Sequence, residues 1–354
     1  MPGQRSIRVG IAGLGFGLNV HLPGFLGLPG VEVSGLLGCH PLHAEEVAAR
    51  IGLPVSTDLE TWLDASFDAV SLALPPHELE RVANAAIDRG VPILAEKPLG
   101  CDVRVARSLA ARVAARPNAV DFEFAELLTF AGLREAIHSD MIGRVRHVTI
   151  VWLMESRAHR SGSWSWKTDA ARHGGALTLL GTHVFHLLEW LLDPVERLSA
   201  RLDSQATRRI VPSSEAVPAD DLAHVLVEHH GGTVSSIVIG NANPGVAIHR
   251  WTVVGERGTA ILDNPTYGLT DFTLRVFGVD GQAIQQMSEP PTKGDGRIPA
   301  FRRLASRFVD AVRSGGQCHP DFAAGARVAT LVDATHRAAK AEMWIEPEET
   351  AVSA

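Results

Sequence analysis

Cysteine is scarce: the 354 residues hold three, Cys39, Cys101 and Cys318, scattered and without a CxxC pair. An odd count at such spacing argues against a disulfide framework and for a reducing compartment. A basic block is also missing, and the formal net charge is −7, which disfavours a nucleic-acid partner. No apolar run approaches the roughly 18 residues of a membrane span. No charged segment followed by a long apolar one opens the chain, because MPGQRSIRVGIAG leads straight into a strand pattern. A secretory signal is therefore not expected, and the expected location is cytoplasmic. Neither an internal repeat nor a low-complexity segment interrupts the chain.

What remains is 45% hydrophobic and 21% charged, with enough length for two domains with cores of their own. Up to about residue 122, short apolar runs rich in β-formers (IRVGIAG, VEVSGLL, FDAVSLAL, VPILAE, NAVDFEF) alternate with helical patterns. Nearly continuous apolar strands separated by helices predict βαβ units and a doubly wound parallel sheet with both faces covered. Gly90 stands where a helix closes, and Asp102 where the next is capped. After residue 122 the pattern changes. A helix is expected over about 127–139, followed by the strand VRHVTIVWLM and a loop rich in Ser, Trp, Arg and Lys. A helix over 175–192 comes next, and then alternating strands (VERLSARLD, DLAHVLVEHH, TVSSIVIGNA, HRWTVVGERGTAILD, DFTLRVFG). These predict a largely antiparallel sheet with helices on one face. Residues 283–297 read as a polar loop, and two helices, about 299–313 and 321–340, end the chain.

Two places carry chemistry. In GIAGLGFGLN, Gly13 and Gly15 follow the first strand directly and precede a helix. Gly13 would allow a tight turn, and Gly15 the approach of backbone to a diphosphate at the helix N-terminus. The third glycine of GxGxxG is absent: Leu18 holds its position and Gly17 comes one residue early. A plain structural turn is the alternative, but a strand before and a helix after favour a dinucleotide. The second strand ends in Leu37-Gly38-Cys39-His40, without the Asp or Glu that holds a ribose 2′-hydroxyl. NAD and NADP both stay open. The missing carboxylate favours NADP, with His40 facing the 2′-phosphate unless it is merely a solvated loop residue. The second place is LTLLGTHVFH, which buries His183 and His186 on one face of an apolar helix. Without an HExxH pattern or a third ligand nearby, no metal is expected there.

AEKPLG, with Glu96 and Lys97 just after the fifth strand, completes an ordered set: GLGFG, LPPH at 74–77, EKP, IGRVRHV at 142–148 and GGALTLLGTH at 174–183. Together these resemble the Gfo/Idh/MocA oxidoreductases along essentially the whole chain. The resemblance implies an α/β protein: an N-terminal Rossmann domain with a doubly wound parallel sheet, here residues 1–122, and a C-terminal α+β domain, 123–354, for substrate binding and oligomerisation. The second domain would carry a large, mostly antiparallel open sheet that forms a homodimer or homotetramer interface, and the terminal helices could pack back on the first. The implied activity is hydride transfer between NAD(P) and a secondary alcohol or ketone of a sugar-like substrate.

By the same resemblance, Lys97 and His183 are the catalytic pair. Gly13, Gly15, Phe16, Gly17, Leu18, His40, Leu74, Pro75, His77, Glu96 and Lys97 are expected to bind the cofactor. The chemistry of the residues agrees: a lysine desolvated beside a cationic nicotinamide becomes a usable base. The family's Asp four residues before the histidine is Leu179 here, so His183 must act at its own basicity or only bind a hydroxyl. Glu123, Trp166, Lys167 and His186 are the expected substrate contacts, beside Trp164 and Arg172. Glu123 could also be a surface residue, Trp166 a core plug and His186 a support for His183. Other classes compatible with the chain are a cofactor-binding sensor or scaffold without catalysis, an NAD-dependent glycosidase, and a C=N or C=C reductase.

Overall fold

The computed structural model describes residues 5–348, which form two compact units. The first comprises residues up to Glu126 together with Thr292–Ala326, and the second Leu127–Pro291 with the residues from Arg327 on. Among the described residues no helix is long and apolar enough to cross a membrane.

The first unit is built on six strands: β1 (Ile7–Ala12), β2 (Val31–Leu37), β3 (Val55–Ser56), β4 (Ala69–Leu72), β5 (Ile93–Glu96) and β6 (Asn118–Asp121). They pair in parallel in the order β3-β2-β1-β4-β5-β6. This is the doubly wound order whose carboxyl edge binds ligands where the strand order reverses. The apolar runs explain it, since β4 is buried throughout and β1 from Val9 onward. Asp102 caps its helix, accepting the Val105 N–H at 3.0 Å, and Gly90 lies just past the helix Pro76–Asp88 with φ +74°. The late helix Arg297–Ser314 belongs to this unit and packs Phe301, Leu304 and Phe308 into one core with Val9, Ile11 and Phe25. Each such side chain contributes about 1.5–3 kcal/mol of transfer free energy.

The second unit holds eight strands: β7 (Val145–Leu153), β8 (Val195–Asp203), β9 (Leu222–His229), β10 (Val234–Gly240), β11 (Ile248–Gly255), β12 (Gly258–Asn264), β13 (Thr273–Gly278) and β14 (Ala283–Ser288). Their order is β14-β13-β12-β11-β7-β10-β9-β8, antiparallel except for the central β7–β10 pair. Strict alternation along β9 and β10 buries Ala223, Val225, Val227, Ile237 and Ile239 and leaves the other face open. On that open face Thr149, Ser236 and Leu226 stand in register and exposed. Strand β14 corrects the polar-loop expectation for 283–297. Its residues AIQQMS are mostly exposed and lie at the sheet edge. An edge strand with one ladder partner needs no apolar alternation, so its sequence carries little strand signal.

Candidate active site

The turn after β1 is shaped by its glycines. Gly13 has φ +106°, and a Cβ there would lie 2.2 Å from the Ala73 carbonyl oxygen, so only glycine fits. Gly15 is exposed, and a Cβ added to it would meet nothing within 4 Å. That open space in front of a helix start is the cradle a diphosphate requires. The missing third glycine has a structural answer. The turn Gly17–His21 is π-helical, one residue wider than an α-turn, and Gly17 packs where a Cβ would stand 3.0 Å from Ile11 Cγ2 and 3.2 Å from Ala73 Cβ. Gly17 thus does the close helix–strand packing that the third glycine does elsewhere, and Leu18 is free to be large.

The other expected cofactor residues line the carboxyl ends of the strands. Leu74 and Pro75 follow β4, Pro75 is the N-cap of the next helix, and His77 is exposed in that helix's first turn. His40 is exposed at the N-cap of the helix Pro41–Ile51 and makes no capping bond, and the neighbouring Cys39 is exposed as well. Glu96 ends β5, and the Lys97–Pro98 bond is cis.

Behind Lys97 lies a network that the sequence did not announce. His21, at the end of the π-turn, is fully buried. Its Nδ1 is 2.8 Å from Ser71 Oγ and its Nε2 is 3.2 Å from Glu96 Oε1 and 3.5 Å from Asp121 Oδ2. Phe301 stacks on its ring at 4.1 Å, and Phe16 meets it edge-on. The glycine loop and the Glu96–Lys97 turn are therefore joined through one imidazole. Glu123 is buried here, not a surface residue. Glu126 is buried too, held by a bidentate pair with Arg307. Arg297 stacks over Phe16, 4.8 Å from the ring centre, while paired with Asp295.

Charge in this cluster is sharply divided. Burial pushes Lys97 below the usual lysine range, and the charges of Glu96, Glu123 and Asp121 oppose this without cancelling it. Burial would also raise Glu96, but the hydrogen bond and field of His21 and the charge of Lys97 hold it below the usual carboxylate value. Asp121 goes the other way: burial, then the charge of Glu96, then the charge of Glu126 push it well up. Glu123 is likewise pushed well up by burial and by Asp121 and Glu96, against Lys97 and Arg297.

The second unit holds His183 and His186 on the helix Thr182–Leu191, both buried. Here too a π-turn, Leu177–Gly181, opens the helix, and it contains Leu179. Asp220 anchors that turn by accepting the Leu177 N–H at 2.8 Å. Gly175 (φ +117°) allows the approach, since a Cβ there would lie 2.2 Å from Asp220 Oδ1. Around His183 stands an aromatic wall. Trp152 lies 6.1 Å from its ring centre and stacks on His249 at 4.0 Å, and Trp251 donates Nε1–H to His249 Nε2 at 3.0 Å. In the preceding loop Trp164 and Trp166 are half-buried, and Lys167 is exposed with its ammonium 5.7 Å from the Trp166 ring. Arg172 is exposed and paired with Asp169.

Burial pushes both His186 and His249 down to about 3. The unfolded chain takes up these protons near the ordinary histidine value of about 6.5, whereas the folded chain refuses them until about 3. Stability is therefore full above about pH 6.5 and falls as the pH drops towards 3, by about 1.4 kcal/mol per pH unit for each histidine. Urea unfolding followed by tryptophan fluorescence across this window should show that slope, and His249→Gln should flatten it by one histidine's share. An unchanged slope in the variant would contradict burial of a neutral His249.

A doubly wound sheet with a glycine cradle at its carboxyl edge, and a desolvated lysine tied to that cradle, define a nucleotide-dependent oxidoreductase of the dehydrogenase type. The comparisons are more specific. The model of the oxidoreductase family's NAD-binding Rossmann fold matches residues 7–124, and that of the GFO/IDH/MocA C-terminal domain matches 130–261. The chain belongs to the Gfo/Idh/MocA oxidoreductases. It is 27% identical to inositol 2-dehydrogenase 1 of Saccharopolyspora erythraea over 97% of each chain. It is 23% identical to the levoglucosan dehydrogenase of Pseudarthrobacter phenanthrenivorans, over 97% of this chain and 98% of that one. A levoglucosan dehydrogenase structure in complex with NADH and levoglucosan superposes with a TM-score of 0.86 at 22% identity, covering 98% of this chain and all of that one.

Proposed function

We propose that the protein interconverts a secondary alcohol and a ketone on a sugar-like, hydroxyl-rich substrate. The observation that carries this is the His21 bridge, which ties the glycine loop to Glu96 and so to the adjacent Lys97. A bound nicotinamide supplies the hydride acceptor or donor at its C4 carbon. The other steps fall to the chain. Lys97, which desolvation pushes below the usual lysine range, takes the hydroxyl proton during oxidation and returns it during reduction. His183 contributes an imidazole to the substrate's hydroxyl, with His186 supporting it. Trp166 and Lys167 offer a ring face and a cation to the sugar, and Glu123, which burial pushes above the usual carboxylate range, meets a hydroxyl. The dehydrogenase names of the relatives favour polyols and anhydrosugars as the substrate class. Purified protein should reduce NAD+ with at least one member of a panel of inositols, anhydrosugars and aldoses, and net cofactor turnover separates this from a glycosidase. A panel without turnover, despite tight NADH binding, would point to a sensor or scaffold.

For the cofactor, the ring of contacts proposed is Gly13, Gly15, Phe16, Gly17, Leu18, His40, Leu74, Pro75, His77, Glu96 and Lys97. Because no carboxylate follows β2, nothing there repels a 2′-phosphate, and we propose that NADP is accepted alongside NAD. His40→Ala should then weaken NADPH binding by about 1.5 kcal/mol, some tenfold, if a charge-assisted bond to the phosphate is lost. NADH binding should stay unchanged. Equal losses for both cofactors in fluorescence titrations would remove His40 from the 2′ position. The open face of the eight-stranded sheet, with Leu226 39% exposed, supports a homodimer or homotetramer. A cytoplasmic location is proposed on composition alone.

A further inference from the structure

Among the described residues, no donor reaches either oxygen of the Asp121 carboxyl with hydrogen-bond geometry, although the group is fully buried. His21 Nε2 is 3.5 Å away and closer to Glu96, at 3.2 Å. An ionised, fully buried carboxylate without a donor is costly. Glu96 is its register partner on the neighbouring strand, and ligand atoms of His21, Glu96 and Asp121 all lie within 4.8 Å of one another. Two ionised carboxylates buried this close repel each other, and neither can donate to the other. One member of the pair must therefore carry a proton. His21 says on which side it sits. Its Nε2 is nearer Glu96 Oε1, at 3.2 Å, than Asp121 Oδ2, at 3.5 Å, and the Glu96 side chain is 13% exposed where that of Asp121 is wholly buried, so negative charge is better tolerated on Glu96.

We propose that Asp121 is a standing carboxylic acid which, together with His21, holds Glu96 as the one ionised carboxylate beside Lys97. Asp121 and His21 are positioning residues: they fix the charge that Lys97 faces. The directions found for the four groups agree, with Glu96 down, Asp121 and Glu123 up, and Lys97 down. The other charges acting on these groups are Glu126 on Asp121 and Arg297 on Glu123. Glu126 is already paired with Arg307 and Arg297 with Asp295. The proposal rests on the assignment of proton transfer to Lys97, but its test needs no substrate, so the two can fail separately.

The infrared spectrum of the full-length protein at neutral pH should contain a carboxylic-acid C=O band that moves when aspartate carries a 13C carboxyl. That band should vanish in Asp121→Asn, and if this variant does not fold, it should persist in Asp220→Asn, which removes the other raised buried aspartate. The second readout is the protonation midpoint of Lys97. The chain has only four lysines, Lys97, Lys167, Lys293 and Lys340, so 13Cε-lysine spectra can be assigned with Lys97→Ala. Asp121→Asn replaces a neutral donor by a neutral donor and should leave the Lys97 midpoint in place. Glu96→Gln removes the ionised partner and should lower it by about one pH unit, tenfold in the equilibrium. The proposal is overturned if no aspartate acid band exists, or if Asp121→Asn lowers the Lys97 midpoint as far as Glu96→Gln does. Lys97→Ala with undiminished turnover would instead remove the catalytic role of Lys97 and leave the proton on Asp121 standing.

Discussion

Lys97→Ala should lower kcat for alcohol oxidation by about 10²–10⁴-fold, the range of a positioned general base, while NADH binding survives. The amine is useful because desolvation at this half-buried position lets it reach its neutral form below the ordinary lysine range. The sign for pH follows. Oxidation needs neutral Lys97, so kcat should rise with pH and level off above the lowered midpoint, whereas reduction needs the ammonium and should fall over the same interval. Lys97→Arg should be as damaged as the alanine variant, since a guanidinium keeps the charge but does not give up its proton. Initial rates in both directions over a pH series separate loss of a base from loss of a charge. A Lys97→Arg enzyme with near-normal oxidation would show that only the charge matters.

Gly15→Val should remove cofactor binding without unfolding the protein. A Cβ at Gly15 meets nothing within 4 Å, so the fold tolerates a side chain. The methyls would fill the space that a diphosphate takes and keep it from the backbone amides. Loss of a few charge-assisted hydrogen bonds at about 1.5–3 kcal/mol each corresponds to a loss of affinity on the order of 100-fold or more. Gly13→Ala tells the opposite story: its φ of +106° and the Ala73 carbonyl 2.2 Å from the new Cβ tie the damage to stability first. Thermal unfolding with and without NADH distinguishes them. Gly15→Val should keep the apo Tm and lose the NADH-induced rise, which follows mass action on the folded state. A retained NADH shift would place the diphosphate elsewhere.

Much of this was legible in the residues because the signals are periodic or local. Apolar β-runs separated by helices gave the parallel sheet, and Gly13, Gly90 and Asp102 stand where turn and cap chemistry requires them. Strict alternation gave the strands of the second sheet up to β13, and failed at β14, where an exposed edge relaxes the pattern. Glu96 and Lys97 were visible through their motif. The partners behind them were not. His21 reads as one polar residue in an apolar helix, Asp121 as the last residue of a strand, and Ser71 as a small residue in a buried one. The parallel pairing of β4, β5 and β6 brings Ser71, Glu96 and Asp121 to one edge, and the π-turn after β1 sets His21 against them. The shift of Gly17 by one position looked like a defect in the fingerprint. It is a π-turn, which no propensity scale marks. Asp220 was invisible for the same reason as Asp121: it acts on Leu177, 43 positions away.

The central claim is that this chain moves a hydride to NAD+ from a sugar-like alcohol while Lys97 takes the proton. It is tested most directly by mixing the wild-type protein with NAD+ and a carbinol-deuterated substrate drawn from the inositol and anhydrosugar panel, then examining the nicotinamide by NMR. The account predicts deuterium at C4 of NADH in the wild type and almost none with Lys97→Ala at equal cofactor occupancy. Deuterium transfer at the wild-type rate in the Lys97→Ala protein would contradict it.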